Sequence, residues 1–142
     1  MPGYSGTPLP KKLGIKPGFR VQLVTAPVDV QEELREALAG CETVPVGKSG
    51  DNAALDFAMA FTRSQAELTR EFRRLAKLLA PAGMLWVSWP KKSSGVPSDV
   101  DENCVREIGL AAGLVDVKVC AVTEIWSGLK FVRRVKDRHQ PR

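Results

Sequence analysis

Apolar residues follow two rhythms along this chain, and the alternation between them predicts strands and helices in turn. Val21-Gln22-Leu23-Val24 is a short apolar run closed by Thr25-Ala26-Pro27, and it reads as a buried strand. Asp29 is placed as the N-cap of a helix, with Glu32 completing a capping-box pattern. Val30, Leu34, Ala37 and Leu38 share one face of that helix, and Gly40 stops it. Thr43 to Val46 reads as a short, weak strand, and Gly47 to Asn52 as a turn. Leu55 to Phe61 is a second strong strand, apolar on both faces except at Asp56. Ser64-Gln65-Ala66-Glu67 is a capping box for the most regular helix in the chain, with Leu68, Phe72, Leu75, Ala76 and Leu79 as its buried stripe. Arg70, Arg73, Arg74 and Lys77 form its wet face. Ala80-Pro81-Ala82-Gly83 ends it, and Met84 to Trp89 is the next strand, terminated by Pro90.

A polar loop over Lys91 to Pro97 follows. Ser98 and Asp101 are suited to cap another helix, with Cys104, Val105, Ile108 and Ala111 as its stripe and Gly113 as its stop. Val115 to Val122 and Trp126 to Arg134 are two final strands, too close together for a crossover, so they form an antiparallel hairpin. Near the N-terminus, Thr7 and Pro8 mark the start of a short helix that Leu9 and Leu13 can dock onto the body. Strands buried on both faces and alternating with helices predict a three-layer α/β fold. Its sheet is mostly parallel, of about six strands, with helices on both faces.

Composition narrows this picture. A chain of 142 residues, 44% hydrophobic and 26% charged, suits one globular domain. No apolar run reaches the roughly 20 residues of a membrane helix. Residues 1–12 lack a signal-type apolar core, so a cytoplasmic location is expected. The net charge of +5 sits at the ends: residues 1–20 carry +4, residues 133–142 carry +4, and the body between them is left with −3. Nucleic acid is therefore a possible partner through the basic termini but not the favoured one. Cys41, Cys104 and Cys120 have no metal-like spacing and read as reduced thiols.

Several phrases resemble the class I methyltransferase fold. Lys16-Pro17-Gly18-Phe19-Arg20-Val21 is similar to the lead-in to its first strand, and Leu55-Asp56-Phe57-Ala58 to its central strand. Leu79-Ala80-Pro81-Ala82-Gly83-Met84-Leu85-Trp86-Val87 resembles its helix-end turn and following strand, and Ala112-Gly113-Leu114-Val115 with the closing hairpin resembles its C-terminal end. One usual strand is missing from the pattern between Val46 and Leu55. A closer resemblance is to an uncharacterised bacterial family of small proteins of this architecture, a domain of unknown function. It is carried by Tyr4-Ser5-Gly6-Thr7-Pro8-Leu9, Lys11-Lys12-Leu13-Gly14-Ile15, Trp89-Pro90-Lys91-Lys92, Lys118-Val119-Cys120-Ala121 and Trp126-Ser127-Gly128-Leu129. That family supplies no activity. The implied organisation is an N-terminal segment over residues 1–15 with a short docking helix, a methyltransferase-like α/β domain over 16–135 and a basic tail over 136–142.

An S-adenosylmethionine site in this fold needs a glycine-rich turn after the first strand, because glycine allows positive φ and close backbone approach. The comparable turn, Thr25-Ala26-Pro27-Val28-Asp29, has no glycine, and Pro27 removes an N–H donor. Asp29, Glu32 and Glu33 crowd the next helix start and repel an anion there. The second strand ends Val44-Pro45-Val46-Gly47, with no acid for ribose hydroxyls before Asp51. No cofactor is predicted, S-adenosylmethionine is disfavoured, and dinucleotides fall by the same argument.

Little catalytic chemistry remains. The one histidine, His139, lies in the tail, so no Ser–His or Cys–His pair can form in the body. No catalytic or metal-binding residue is assigned. Asp56, Asp99 and Asp101 read as backbone or cap partners. Ligands of open α/β sheets bind beyond the carboxyl ends of parallel strands, and the loop after Trp89 lies there. Lys91, Lys92 and Ser93 offer cations and a hydroxyl for a phosphate or carboxylate, while Trp126 and Ser127 open the last strand and are expected on the same edge. The plain alternative is a solvated loop beside packed tryptophans. The resulting expectation is a degenerate, non-catalytic methyltransferase-like domain that binds an anionic small molecule or a protein through Trp89, Lys91, Lys92, Ser93, Trp126 and Ser127. Two alternatives stand beside it: an atypical S-adenosylmethionine-dependent methyltransferase, and a nucleic-acid accessory protein.

Overall fold

The computed structural model describes residues 7–46 and 54–138. Its elements in chain order are α1 (Leu9–Leu13), β1 (Arg20–Val24), α2 (Val28–Ala39), β2 (Glu42–Thr43), β3 (Leu55–Phe61), α3 (Gln65–Leu78), β4 (Leu79–Pro90), α4 (Glu102–Ala111), β5 (Leu114–Ala121) and β6 (Trp126–Arg133). The six strands make one sheet in the order β2-β1-β3-β4-β6-β5. The pairs β1–β2, β1–β3 and β3–β4 are parallel, and β6 is antiparallel to both β4 and β5. The fold is thus the mixed α/β sheet with a closing hairpin that the pattern predicts. Among the described residues no helix is long and apolar enough to cross a membrane.

Alternation along the strands sorts side chains onto two cores. Val21, Phe57, Met59, Phe61 and Trp86 pack against Leu9 and Leu13 of α1 and Val30 and Leu34 of α2. Ala58, Ala60, Leu85, Val87, Trp89, Leu129 and Phe131 pack against Leu68, Phe72 and Leu75 of α3 and Val105 of α4. The sheet is therefore covered on both sides, which is why its central strands are apolar at nearly every position.

Five local expectations need correction. Helix α1 starts at Leu9 with Pro8 as its N-cap, one residue later than Thr7 and Pro8 imply. Helix α2 starts at Val28, not after Asp29: Pro27, with extended backbone, is the N-cap and makes no side-chain cap bond. Asp29 lies inside the first turn, where its Oδ1 accepts from Val30 N at 3.0 Å. Strand β2 covers only Glu42–Thr43, because Val44 already turns away after its N–H bonds to Val21 O. The predicted turn over Gly47 to Asn52 lies outside the described residues. Strand β4 begins at Leu79, directly from α3, so Ala80 to Gly83 extend the strand and meet β3 through a register shift. On α4 the buried positions are Val105 and Gly109, with Ile108 and Ala112 beside them, while Ala111 is exposed and Cys104 half-buried. Gly109 carries this face because its missing side chain admits the ring of Phe131.

The far edge of the sheet is β5. Its register slips between Asp116 and Lys118, which leaves Val117 as an unpaired extra residue with 53% exposure. Asp116 is fixed to Arg106 (Nε to Oδ2, 2.9 Å), which also reaches Glu102 at 2.7 Å. The hydrogen bond from Arg106 holds the Asp116 carboxyl below its ordinary pKa. A depressed carboxylate stabilises the fold above its unfolded value of about 3.9, and that contribution disappears as pH falls through the lower folded value. Asp116→Asn is therefore expected to lower the urea midpoint slightly at pH 7. The gap from the parent should close in the same measurement near pH 2–3, whereas an equal gap at both pH values would show that the charge is not responsible.

Candidate functional site

Strands β1 and β3 lie side by side and parallel, yet the chain leaves them in opposite directions. Strand β1 feeds α2 on one face of the sheet, and β3 feeds α3 on the other. This divergence is the switch point of the sheet, where open α/β folds leave a crevice beyond the carboxyl ends of the strands. A cleft of about 750 Å³ opens there. Thr25 lines it from the end of β1, Phe61 and Thr62 from the end of β3, and Arg63, Ser64 and Glu67 from the start of α3. Pro97, Ser98 and Asp99 form its outer wall, and Trp126 closes it from the hairpin.

Several lining residues are held by local devices. Ser64 caps α3 by accepting from Glu67 N at 3.2 Å. Glu67 does not complete the reciprocal box: its Oε1 lies 3.2 Å from Thr62 Oγ1, and Thr62 Oγ1 itself accepts from Ser64 N at 3.2 Å. Asp99 crosses from the β4–α4 loop to bind the same helix start. Its Oδ1 accepts from Gln65 N at 2.8 Å, its carbonyl from Gln65 Nε2, and its N–H donates to Arg63 O at 3.2 Å. Asp99 thus caps α3 rather than its own helix. Asp101 is the N-cap of α4, accepting from Cys104 N at 2.9 Å. Asp56 is a backbone partner as well, accepting from Arg20 N at 2.8 Å. The Trp126 ring meets Phe61 edge to face at 5.3 Å and 81°. Thr123 Oγ1 fixes the turn beneath it, accepting from Ile125 N and Trp126 N.

The backbone at Thr25 is unusual. Its φ is +59°, in the left-handed region that β-branched residues avoid. The turn after β1 therefore makes the step that a glycine would make, without a glycine. Such a residue carries strain of about 1–3 kcal/mol, and glycine would relieve it while adding about 0.5–1 kcal/mol of unfolded-state freedom. Thr25→Gly is accordingly expected to raise stability by about 1 kcal/mol, or about 3 °C in thermal midpoint. A fall in the melting curve would mean that the threonine side chain more than offsets its backbone.

The residues singled out in the sequence are spread over five places. Trp126 lines the main cleft. Lys91 and Lys92 line a second hollow of about 380 Å³, which shares Pro97, Ser98 and Asp99 with the first. Trp89, at 5% exposure, belongs to the core on the α3 side. Ser127 pairs with Trp89 across β4 and β6, and its carbonyl accepts from Ser88 Oγ at 2.7 Å. Ser93 is exposed on the loop, and neither serine lines the two hollows. Trp126 and the two lysines thus line neighbouring hollows with a shared wall, and Trp89 lines neither. The residues missed from sequence are Thr25, Phe61, Thr62, Arg63, Ser64 and Glu67; the signal was the place of the first three at the ends of neighbouring strands and of the others at the start of the helix that follows. The cysteines are free, and burial pushes the Cys120 thiol above its ordinary pKa although Lys12 and Lys118 oppose the shift. Such a thiol is a poor nucleophile at neutral pH.

Solved structures of this fold include a SAM-dependent methyltransferase from Aquifex aeolicus, similar with a TM-score of 0.60 at 20% identity over 85% of each chain. The magnesium protoporphyrin IX methyltransferase from Synechocystis PCC 6803 with bound SAM gives a TM-score of 0.59 at 12% identity, covering 89% of this chain and 74% of that one. The 1,6-didemethyltoxoflavin-N1-methyltransferase of Burkholderia thailandensis, with bound S-adenosylhomocysteine, gives 0.58 at 14% identity over 88% and 74%. At these identities the likeness establishes the fold. No curated protein matches the sequence. The family model described as "Protein of unknown function (DUF3052)" matches residues 10–135. The expectation that S-adenosylmethionine is disfavoured is corrected by these structures, since chains of this fold hold it or its demethylated product. One part of the physical premise changes as well: Thr25 takes the left-handed step without glycine, while Pro27 is the N-cap of α2 and Asp29 stays in its first turn.

Proposed function

The chain belongs to the DUF3052 family of unknown function, and from that premise we propose that it is a methyltransferase-type domain binding an adenosyl ligand in the cleft between β1 and β3. The observation that carries this reading is the left-handed turn at Thr25, which opens the carboxyl end of β1 at the switch point. A hollow of about 750 Å³ is within the usual range for a ligand of nucleoside size. Thr25 and the backbone from Ala26 to Val28 would form the inner floor. Phe61 and Trp126 would exclude water, and their ring faces suit a sulfonium cation. Thr62, Ser64 and Glu67 would offer hydrogen-bonding groups to a sugar or amino-acid moiety. S-adenosylmethionine, when bound, supplies an electrophilic methyl group.

Calorimetric titration with S-adenosylmethionine and S-adenosylhomocysteine tests the reading. Saturable binding is expected at micromolar concentrations, with a rise in thermal midpoint equivalent to about 2.7 kcal/mol once ligand reaches 100 times Kd. No heat and no thermal shift with either compound at millimolar concentration would end it.

A further inference from the structure

We propose that the hollow beside the cleft is a separate seat for a small molecule bearing a phosphate or carboxylate, held by Lys91 and Lys92. This goes beyond the adenosyl reading and does not depend on it. Four observations converge. First, both lysines line one half-open hollow of about 380 Å³. Second, neither forms an ion pair among the described residues, where every ion pair uses an arginine.

Third, the two acids on the same wall are committed elsewhere. Asp99 Oδ1 faces the start of α3 through Gln65 N at 2.8 Å, and Asp101 Oδ1 faces the start of α4 through Cys104 N at 2.9 Å. Each carboxylate lies against the positive end of a helix, which offsets its field in the hollow. Fourth, the loop is built rather than slack. Lys91 N donates to Ile125 O at 2.8 Å, Ser94 Oγ donates to Lys91 O at 2.6 Å, and Val96 N donates to Ser94 Oγ at 3.1 Å. Gly95 closes the turn at a φ of +78°. Two cations without an ion pair among the described residues stand on a fixed backbone, so an anion need order only their side chains. The shared wall of Pro97, Ser98 and Asp99 places such a molecule next to whatever fills the main cleft.

The test is a titration of the full chain with inorganic pyrophosphate in one arm and malonate in the other, followed by backbone amide shifts. Each arm is run with and without S-adenosylhomocysteine. Saturable shifts confined to residues 91–101 are expected with at least one anion, and the arm that saturates first identifies phosphate or carboxylate chemistry. Lys91→Gln with Lys92→Gln should weaken that binding at least ten-fold while leaving the thermal midpoint and S-adenosylhomocysteine affinity unchanged. Should the double variant misfold, Lys92→Gln alone, at an exposed position, should still weaken binding several-fold. Equal affinity in the folded variants, or shifts confined to the basic ends, would overturn the proposal. Anion binding without S-adenosylhomocysteine binding would sink the adenosyl reading and leave this one standing; the reverse result would sink only this one.

Discussion

Replacing Trp86 with alanine is expected to lower stability by about 3–5 kcal/mol, the range for emptying a large aromatic from a core, and to drop the thermal midpoint by about 10 °C. Trp86 is wholly buried in β4, the strand between β3 and β6. Its indole Nε1–H donates to Leu13 O at 2.9 Å, so the ring fastens the end of α1 to the sheet. On its other side it rests over Gly128, where a Cβ would come within 3.2 Å of the ring. Alanine would open a void and free α1 at once. Trp86→Phe separates the two contributions. It keeps most of the packing and loses the hydrogen bond, at a cost of about 1–2 kcal/mol including the stranded carbonyl. Denaturant unfolding of both variants checks this, and a loss under 1 kcal/mol for the alanine variant would refute the anchoring role of the ring.

Gly109→Ala tests the opposite core and turns on a sign. In an ordinary helix interior this change stabilises by about 1 kcal/mol. At Gly109 of α4 the new Cβ would run into the Phe131 ring, which is itself held edge to face by Phe72 at 5.0 Å and 88°. With Phe72 against it the ring is not free to turn aside, so the added carbon must displace the ring, the helix or both. A net loss of about 1–3 kcal/mol is expected from overpacking. Adding Phe131→Leu should recover part of it, giving a coupling energy between two residues in contact. A gain in stability for the single variant would show that α4 sits farther from β6.

Much of the architecture was legible because local and global signals agree. The Leu55–Phe61 run, the Ser64 cap and the spacing of the final hairpin each name one structure. The errors arose where one residue type serves two purposes. Asp29 looks like a cap, but the N-cap is Pro27, with its fixed φ, and the helix begins two residues earlier than an Asp29 cap implies. Ala80-Pro81-Ala82-Gly83 has turn composition, yet it lies at the start of β4, where a register shift tolerates proline. The site was the least legible part. Thr25 and Thr62 are ordinary polar residues after apolar runs, and only the neighbouring placement of β1 and β3 gives them one cleft. Conversely, Trp89 stands out in the sequence for its size, and size is what buries it.

The reach of Asp99 ties two elements into one moving part. Its three bonds to Arg63 and Gln65 mean that the loop cannot swing outward unless the first turn of α3 frays with it. Amide deuterium uptake at Gln65 and Asp99 should therefore share one opening rate, and any occupant of either hollow should slow both together. The wall between the hollows then acts as a common latch, through which filling one side is felt as rigidity on the other.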